Sequence, residues 1–279
     1  HFKPTARFGG FSALAALLIT CLILELKFDY EILLILSPIF CLGLLEDTGV
    51  ATNPKIRLAA GALSSMLFIL FKGIWIFECN VPGLDYLLQY KLIAFTFTIF
   101  CLVGLTNAFN LIDGVNGLAC GAIIIVASAT FFLGYEYREP SIQMLSFVII
   151  SSVAGIFVLN YPAGKIFLGD AGAYTFGFLI GIILITLKYK HPEISGWSFV
   201  LILFWPVIET SHSIFRRMLK RRSSDKPDMM HMHHLIMRTI ENMSNKKVNR
   251  KISNPLSTAV ILPLASAPVL VIDYPRFFT

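Results

Sequence analysis

Four carboxylates lie just before or just after long apolar stretches of this sequence. Glu46 and Asp47 follow one stretch, Asp113 follows another, and Asp170 precedes a third. Carboxylates at the ends of several membrane helices can converge on one side, and Mg²⁺ prefers such oxygen ligands. Helix capping is the alternative, because Asp113 begins an Asp-Gly turn and Asp170 stands where an N-cap would.

Amide and basic side chains accompany these carboxylates. Asn107, Asn110 and Asp113 are three residues apart, which places them on one face at the end of a predicted helix. A structural hydrogen-bond network between helices is the alternative interpretation. The other polar candidates for substrate binding in the same set of connectors are Asn116, Asn160, Lys165, His231, His233, His234 and Arg238.

The histidines at 231, 233 and 234 lie in a basic segment. Zinc binding is disfavoured because no cysteine is nearby and no second ligand pair has the usual spacing. Imidazoles and arginines that face an anionic substrate explain the pattern better. A metal ion and basic groups neutralise charge on phosphate oxygens, so the whole set indicates phosphoryl or phosphosugar transfer beside a bilayer.

Long apolar helices must position these residues. The chain has 279 residues, 56% hydrophobic and 14% charged, with a mean hydropathy of +0.73, whereas soluble domains average ~25% charged. These values exclude an ordinary soluble protein and predict an all-α, polytopic membrane helix bundle. The nine candidate spans are about 8–27, 31–45, 58–77, 91–107, 117–134, 142–159, 171–187, 197–215 and 255–272.

The basic residues predict how this bundle is oriented. When alternate connectors are placed on alternate sides, 16 of the 23 Lys and Arg residues fall on one side. The positive-inside rule makes that side cytoplasmic. The net charge of +6 therefore reflects topology, and no nucleic acid partner is expected. We predict one membrane domain over residues 1–279, with its site at the cytoplasmic face and cytoplasmic loops at about 46–57, 108–116, 160–170 and 216–254.

Five segments carry a family resemblance in the family's own order. They are HFKPTARFGG (1–10), GLLEDTGVATNPKIRLAAG (43–61), NAFNLIDGVNGLA (107–119), KIFLGDAGAYTFGF (165–178) and PDMMHMHHLIMR (227–238). Together they strongly resemble the polyprenyl-phosphate N-acetylhexosamine-1-phosphate transferases. The resemblance implies transfer of a sugar-1-phosphate from a UDP-N-acetylhexosamine to undecaprenyl phosphate, with release of UMP. It also implies a requirement for Mg²⁺, with Mn²⁺ as the alternative ion.

The resemblance further implies roles for individual residues. Asp170 would be the principal magnesium ligand, with Asp47 and Glu46 near the metal, and Asp47 would act catalytically, either as a base or as an organiser of the metal site. Asp113 would organise the nucleotide diphosphate. Glu46 departs from the family's usual aspartate, and its additional methylene changes the reach of the carboxylate. The remaining candidates would bind substrate and are Asn107, Asn110, Asn116, Asn160, Lys165, His231, His233, His234 and Arg238.

The histidine motif also bears on the branch of the family. The order His-Met-His-His at 231–234 differs from the three consecutive histidines of the phospho-MurNAc-pentapeptide translocase. The branch that initiates O-antigen and common polysaccharides is therefore predicted. A translocase-like enzyme, an inactive relative that retains the site, and a membrane transporter are the alternatives. A transporter is disfavoured because the charged motifs cluster at one face and no internal repeat is evident.

The resemblance implies a multi-pass protein of the bacterial inner (cytoplasmic) membrane. The expected partners are undecaprenyl phosphate, a UDP-N-acetylhexosamine and the lipid bilayer, with a homodimer left open. The chain is also expected to lack the family's first membrane helix and to stop short of a last one.

Overall fold

The computed structural model describes residues 5–23, 30–219, 231–243 and 248–271. Within these ranges the regular structure is helical, apart from one isolated parallel bridge between Ala6 and Ile166. The helices are α1 (Gly9–Ile23), α2 (Glu31–Asp47), α3 (Pro54–Lys72), α4 (Leu84–Leu88), α5 (Lys91–Ile112), α6 (Leu118–Glu136), α7 (Pro140–Asn160), α8 (Gly169–Lys190), α9 (Gly196–Ile202), α10 (Phe204–Leu219), α11 (Met232–Met243) and α12 (Arg250–Ser266), followed by a 3₁₀ turn (Ala267–Val271).

Apolar helices confirm an all-helical, multi-pass architecture in the described part of the chain. Six helices are long and apolar enough to cross a membrane, namely α3, α5, α6, α7, α8 and α12 with part of its 3₁₀ extension. A seventh span exists if α9 and α10 are counted together. The helices α1 and α2 have 15 and 17 residues, below the ~20 that a span usually needs. The predicted number of nine spans is therefore not confirmed.

The segment 197–215, predicted as one span, is bent rather than straight. The axes of α9 and α10 meet at 86°. Pro206 lies in the first turn of α10. Proline has no N–H and its ring clashes with the carbonyl four residues earlier, here that of Ile202, so the helix breaks before it. Regular pairing resumes at once, since the Val207 N–H donates to the Leu203 carbonyl at 3.0 Å.

Local signals also shift the span predicted at 58–77. The Asn53 side chain accepts a hydrogen bond from the Lys55 N–H, and Pro54 occupies the first helical position, so α3 begins at residue 54. Gly73 adopts the left-handed conformation with φ of 63° and ends the helix. The helix thus starts and stops earlier than hydropathy alone predicts.

The central helix of the bundle is α8. In its most apolar stretch 89% of the residues are buried, compared with at most 67% in the other five long helices. Glycines let neighbouring backbones approach its beginning. A Cβ on Gly10 of α1 would overlap the backbone of Gly172, and one on Gly43 of α2 would overlap that of Ala171. Small residues at membrane helix contacts permit such packing, so α8 starts between α1 and α2.

Connectors that were predicted to lie on opposite sides of the membrane are found at opposite ends of the bundle. The connectors 46–57, 108–116 and 160–170 meet at one end, where Asp47 and Asp113 contact the start of α8. At the opposite end the Lys190 ammonium lies 2.5 Å from Glu139. There the buried Lys188 ammonium donates to Asn80 at 2.7 Å and to two backbone carbonyls. The assignment of the first end to the cytoplasm stays a prediction.

Candidate active site

Two carboxylates from neighbouring elements accept hydrogen bonds from the first N–H groups of α8. The Gly169 N–H donates to Asp113 at 3.1 Å. The N–H groups of Asp170 and Ala171 donate to the two oxygens of Asp47 at 2.8 and 3.0 Å. The leading N–H groups of a helix have no partner within it and favour negative charge. The start of α8 is therefore capped by side chains from outside that helix. This capping brings the three predicted aspartates together.

Gly169 makes this close approach possible. Its φ is +77°, a conformation that residues with a Cβ rarely adopt. An added Cβ would also lie 2.7 Å from both carboxylate oxygens of Asp47. Both the backbone conformation and the available space therefore require glycine here.

Asp170 presents its carboxylate differently from the other two aspartates. The Asn110 amide donates to one of its oxygens at 2.5 Å. The Arg7 guanidinium lies 3.9 Å from the other, and the Asp170 side chain is 25% exposed. No backbone N–H of the described residues holds this carboxylate, so it can accept a ligand. The sequence had drawn attention to the segment around Arg7 but had given that residue no role.

The electrostatics of the acidic cluster favour a cation. Burial, together with the neighbouring charges of Asp170 and Asp47, raises the pKa of Asp113 to about 8. A positive ion would reduce the cost of ionising these carboxylates together. Among the described residues no group of three His, Cys, Asp or Glu side chains forms a complete metal cage. Mg²⁺ commonly uses one or two carboxylates with waters and substrate phosphates, so the accessible Asp170 fits its chemistry.

Glu46 has its own set of partners. One of its oxygens accepts hydrogen bonds from the Arg57 Nε at 2.6 Å and from the Thr52 hydroxyl. The other accepts one from the Tyr174 hydroxyl at 2.9 Å. The glutamate side chain thus links α2 to α3 and α8, and Glu46 is a buried residue. Its role as a metal ligand stays a prediction.

Shortening Glu46 to aspartate is expected to lower the free energy of unfolding by about 1 to 3 kcal/mol, because a buried donor loses its acceptor. The donor is the Tyr174 hydroxyl, which is buried, whereas the Arg57 Nε also lies 3.5 Å from the Thr52 hydroxyl oxygen. The measurement is the unfolding midpoint in detergent. The control is Glu31→Asp, since Glu31 pairs with Lys72 at 2.9 Å and is 45% exposed, where a pair contributes about 0 to 1 kcal/mol. Equal shifts for both variants would contradict this interpretation.

Asn160 and Asn116 hold the loop between α7 and α8. The Asn160 side chain, 1% exposed, accepts from the Gly117 N–H and donates to the Ile166 carbonyl at 2.6 Å. The Asn116 amide donates to the Pro162 carbonyl at 2.9 Å. Both side chains therefore support the frame of the site in this arrangement. Their predicted contact with substrate is untested.

Three other residues were predicted to bind substrate, and their contacts with the described residues do not involve the acidic cluster. The Asn107 amide donates within its own helix, to the Val103 carbonyl at 2.8 Å. Lys165 and Arg238 are exposed. They can meet a soluble ligand, and their role in binding it stays a prediction.

The predicted histidines gather around a carboxylate that the sequence interpretation missed. His231 and His233 are buried, and their Nδ1 atoms lie 3.5 and 3.4 Å from Glu209 of α10. Burial, reinforced by the neighbouring histidines, lowers the pKa of His234 to about 4, so this ring is neutral at pH 7. A lone carboxylate inside a predicted span was the available signal for Glu209.

A match to a known family covers the acidic end of the bundle. Residues 30–188 match the family described as "Glycosyl transferase family 4". This chain belongs to that family. The resemblance to the polyprenyl-phosphate hexosamine-1-phosphate transferases is thereby confirmed. The matched range contains Asp47, Asp113 and Asp170, whereas Glu209 and the histidines lie beyond it.

Three curated relatives extend the comparison. A protein of Bacillus subtilis (strain 168), named probable undecaprenyl-phosphate N-acetylglucosaminyl 1-phosphate transferase, is 32% identical over 71% of this chain and 55% of its own length. The phospho-N-acetylmuramoyl-pentapeptide-transferase of Streptococcus suis (strain 05ZYH33) is 30% identical over 76% of this chain and 66% of its own length. The undecaprenyl-phosphate alpha-N-acetylglucosaminyl 1-phosphate transferase of Escherichia coli O157:H7 is 26% identical over 82% of this chain and 64% of its own length. The chain thus spans between about half and two thirds of these relatives.

Proposed function

We propose that this family 4 member transfers a sugar-1-phosphate from a UDP-N-acetylhexosamine to undecaprenyl phosphate. The observation that carries the proposal is the convergence of Asp47, Asp113 and Asp170 at one end of a membrane helix bundle. The names of the B. subtilis and E. coli relatives support both the lipid acceptor and the N-acetylglucosaminyl 1-phosphate group. The product would initiate a cell-envelope polysaccharide, such as O-antigen, at the cytoplasmic face of the inner membrane.

The proposed reaction is a displacement at phosphorus. An oxygen of the lipid phosphate attacks the β-phosphorus of the UDP-sugar and forms a new P–O bond. The bond between the β-phosphorus and the bridging oxygen breaks, and that oxygen leaves with UMP. The nucleophile is a phosphate monoester with a second pKa of ~6, so it is largely ionised at neutral pH without a protein base. The lipid diphosphate sugar remains in the membrane.

The contacts of the described side chains indicate a separate role for each of them in the proposed reaction. The Arg7 guanidinium beside Asp170 can bind phosphate oxygens through charge-assisted hydrogen bonds. Asp170 would hold Mg²⁺, or Mn²⁺, which would neutralise the charge on the transferring diphosphate. Asp47 and Asp113 would fix the backbone at the start of α8 and so keep the Asp170 side chain in place.

A second candidate donor follows from the S. suis relative, which is named for a phospho-N-acetylmuramoyl-pentapeptide. UDP-MurNAc-pentapeptide would undergo the same displacement at the same acidic site. The two donors differ in the sugar and its peptide. Selection between them therefore depends on groups that contact the sugar.

A donor panel tests the proposal. Membranes that contain the full-length protein are expected to release UMP from a UDP-N-acetylhexosamine only when undecaprenyl phosphate and Mg²⁺ are both present. Reactions without the lipid phosphate and membranes without the protein are the controls. UMP release from UDP-MurNAc-pentapeptide alone would instead establish the second donor. Absence of turnover with every donor would overturn the proposed reaction.

A further inference from the structure

Glu209 is a fully buried carboxylate in the amphipathic helix α10. Its exposed fraction is 0%. Burying an ionised carboxylate is costly unless it is paired and hydrogen-bonded. The groups around Glu209 should therefore explain its presence.

The partners of Glu209 come from the beginning of α11. One oxygen accepts a hydrogen bond from the Met232 N–H at 2.7 Å, which belongs to the first residue of that helix. The Nδ1 atoms of His231 and His233 lie 3.5 and 3.4 Å from the same oxygen. The Ser213 hydroxyl, one turn after Glu209 in α10, is 2.9 Å from the His231 Nδ1. One carboxylate thus joins α10 to the helix that carries the histidines.

The opposite side of the His233 ring faces the acidic cluster. Its Nε2 lies 2.8 Å from the position that a Cβ on Gly114 would occupy. Gly114 follows Asp113, whose carboxylate accepts the N–H of Gly169 at the start of α8. The ring therefore lies between Glu209 and the turn that contains Asp113.

This placement determines which nitrogen of the His233 ring can contact a ligand. A carboxylate beside one nitrogen of an imidazole favours the proton there and fixes the ring orientation. With Nδ1 directed toward Glu209, the Nε2 of His233 is directed toward the turn at Asp113 and Gly114. The rings of His231 and His233 are parallel, with centroids 5.4 Å apart, and we call this pair the histidine layer.

We propose that Glu209 is a positioning residue for the histidine layer of this transferase. Its carboxylate docks α11 against α10 and directs the His233 Nε2 toward the site where the nucleotide diphosphate binds. The part that concerns catalysis rests on the proposed function. The docking of α11 stands on the contacts of Glu209 alone.

Glu209→Gln is the first test, because glutamine keeps the size and can still accept from the Met232 N–H but removes the charge beside two imidazoles. We expect kcat for UMP release to fall about 10- to 100-fold, as for other residues that orient a functional imidazole. The KM for undecaprenyl phosphate should stay unchanged, because the fully buried Glu209 is out of reach of a bound lipid. Glu209→Asp, which keeps the charge, should recover part of kcat. Full activity of Glu209→Gln, or no recovery in Glu209→Asp, would overturn the positioning role.

Gly114→Ala disturbs the same ring from its other side without changing Glu209. The added methyl should push His233 away and lower kcat in the same manner. Gly104→Ala is the control, since Gly104 lies in α5, the helix that leads into this turn, and a Cβ there would meet nothing within 4 Å. A loss of activity in the control equal to that of Gly114→Ala would contradict the inference.

A readout without turnover separates this inference from the proposed function. His233 is 1% exposed, so diethyl pyrocarbonate should modify it slowly in the folded protein. Mass spectrometry is expected to show faster modification of His233 in Glu209→Gln than in the unaltered chain. An unchanged rate would refute the docking of α11 by Glu209. If the unaltered protein releases no UMP from any donor, the proposed function fails while this measurement still decides the docking.

Discussion

Asp170→Asn is expected to lower UMP release at least about 100-fold, the order of loss seen when a preorganised charged group is removed from an active site. Asparagine keeps the shape of the side chain and can still accept a hydrogen bond from the Asn110 amide. It removes the negative charge that faces Arg7 and the proposed metal ion. The initial rate of UMP release in membranes, at equal protein amount, is the measurement.

Asp85→Asn provides the control for the loss of a carboxylate. Asp85 lies at the opposite end of the bundle, where it accepts from the N–H groups of Cys79 and Val81 at 2.7 and 2.9 Å. Asparagine at position 85 loses a backbone acceptor as well as a charge, so this variant measures the structural cost of such a change far from the site, and we expect the rate of UMP release per amount of folded protein to stay unchanged. Undiminished turnover in Asp170→Asn would contradict the site assignment.

The contacts explain why substitution of Asp170 tests the chemistry of the site more directly than substitution of Asp47. Both oxygens of Asp47 accept backbone N–H groups of α8. Asparagine at position 47 would turn one acceptor into a donor against those N–H groups. A loss of activity there would combine a structural effect with a chemical one, whereas Asp170 has no such backbone bonds within the described residues.

Gly169→Ala is expected to reduce both stability and activity. Alanine at φ of +77° costs on the order of 1 kcal/mol. The new methyl would also overlap the Arg7 backbone carbonyl and meet the Asp47 oxygens at 2.7 Å, so we expect a total loss of about 2 to 4 kcal/mol in the free energy of unfolding. Displacement of Asp47 should lower UMP release by roughly 10-fold or more, because a small misplacement of catalytic groups is costly. The measurements are the unfolding midpoint in detergent and the rate of UMP release.

Gly73→Ala separates the cost of the backbone conformation from the effect of the contact with Asp47. Gly73 has a similar φ of +63°, and a Cβ there would meet nothing within 4 Å. This variant should lose only the conformational part, about 1 kcal/mol, and keep its rate of UMP release. If Gly73→Ala were as inactive as Gly169→Ala, contact with Asp47 would not be the cause.

The sequence predicted the positions of the aspartates better than their contacts. The ends of apolar stretches placed Asp47, Asp113 and Asp170 near a membrane surface, and the spacing from Asn110 to Asp113 placed both on one side of a helix. Capping of α8 by side chains from other helices could not be predicted, because it depends on where α8 starts relative to α2 and α5. The substitution at Glu46 was visible, but its link to Tyr174 across 128 residues was not.

Two features of the C-terminal part had usable signals. Pro206 inside the predicted span 197–215 was a signal for a bend, although α2 and α12 continue as helices past Pro38 and Pro263. The segment 216–254 was predicted as a connector, yet residues 232–243 form the helix α11. The apolar residues of this segment recur on one face of a helix, so α11 could have been predicted, but its packing against α12 and its bond to Glu209 of α10 could not.

The capping of α8 also has a consequence for the order in which the protein is built. Asp47 and Asp113 both precede Gly169 in the chain, so the ribosome delivers them to the membrane first. When α8 follows, the acceptors for its leading N–H groups are already part of the synthesised chain. The most buried of the six candidate spans thus takes the caps of its first turn from the upstream half, and separate expression of the segment from α8 onward would leave those N–H groups without these acceptors.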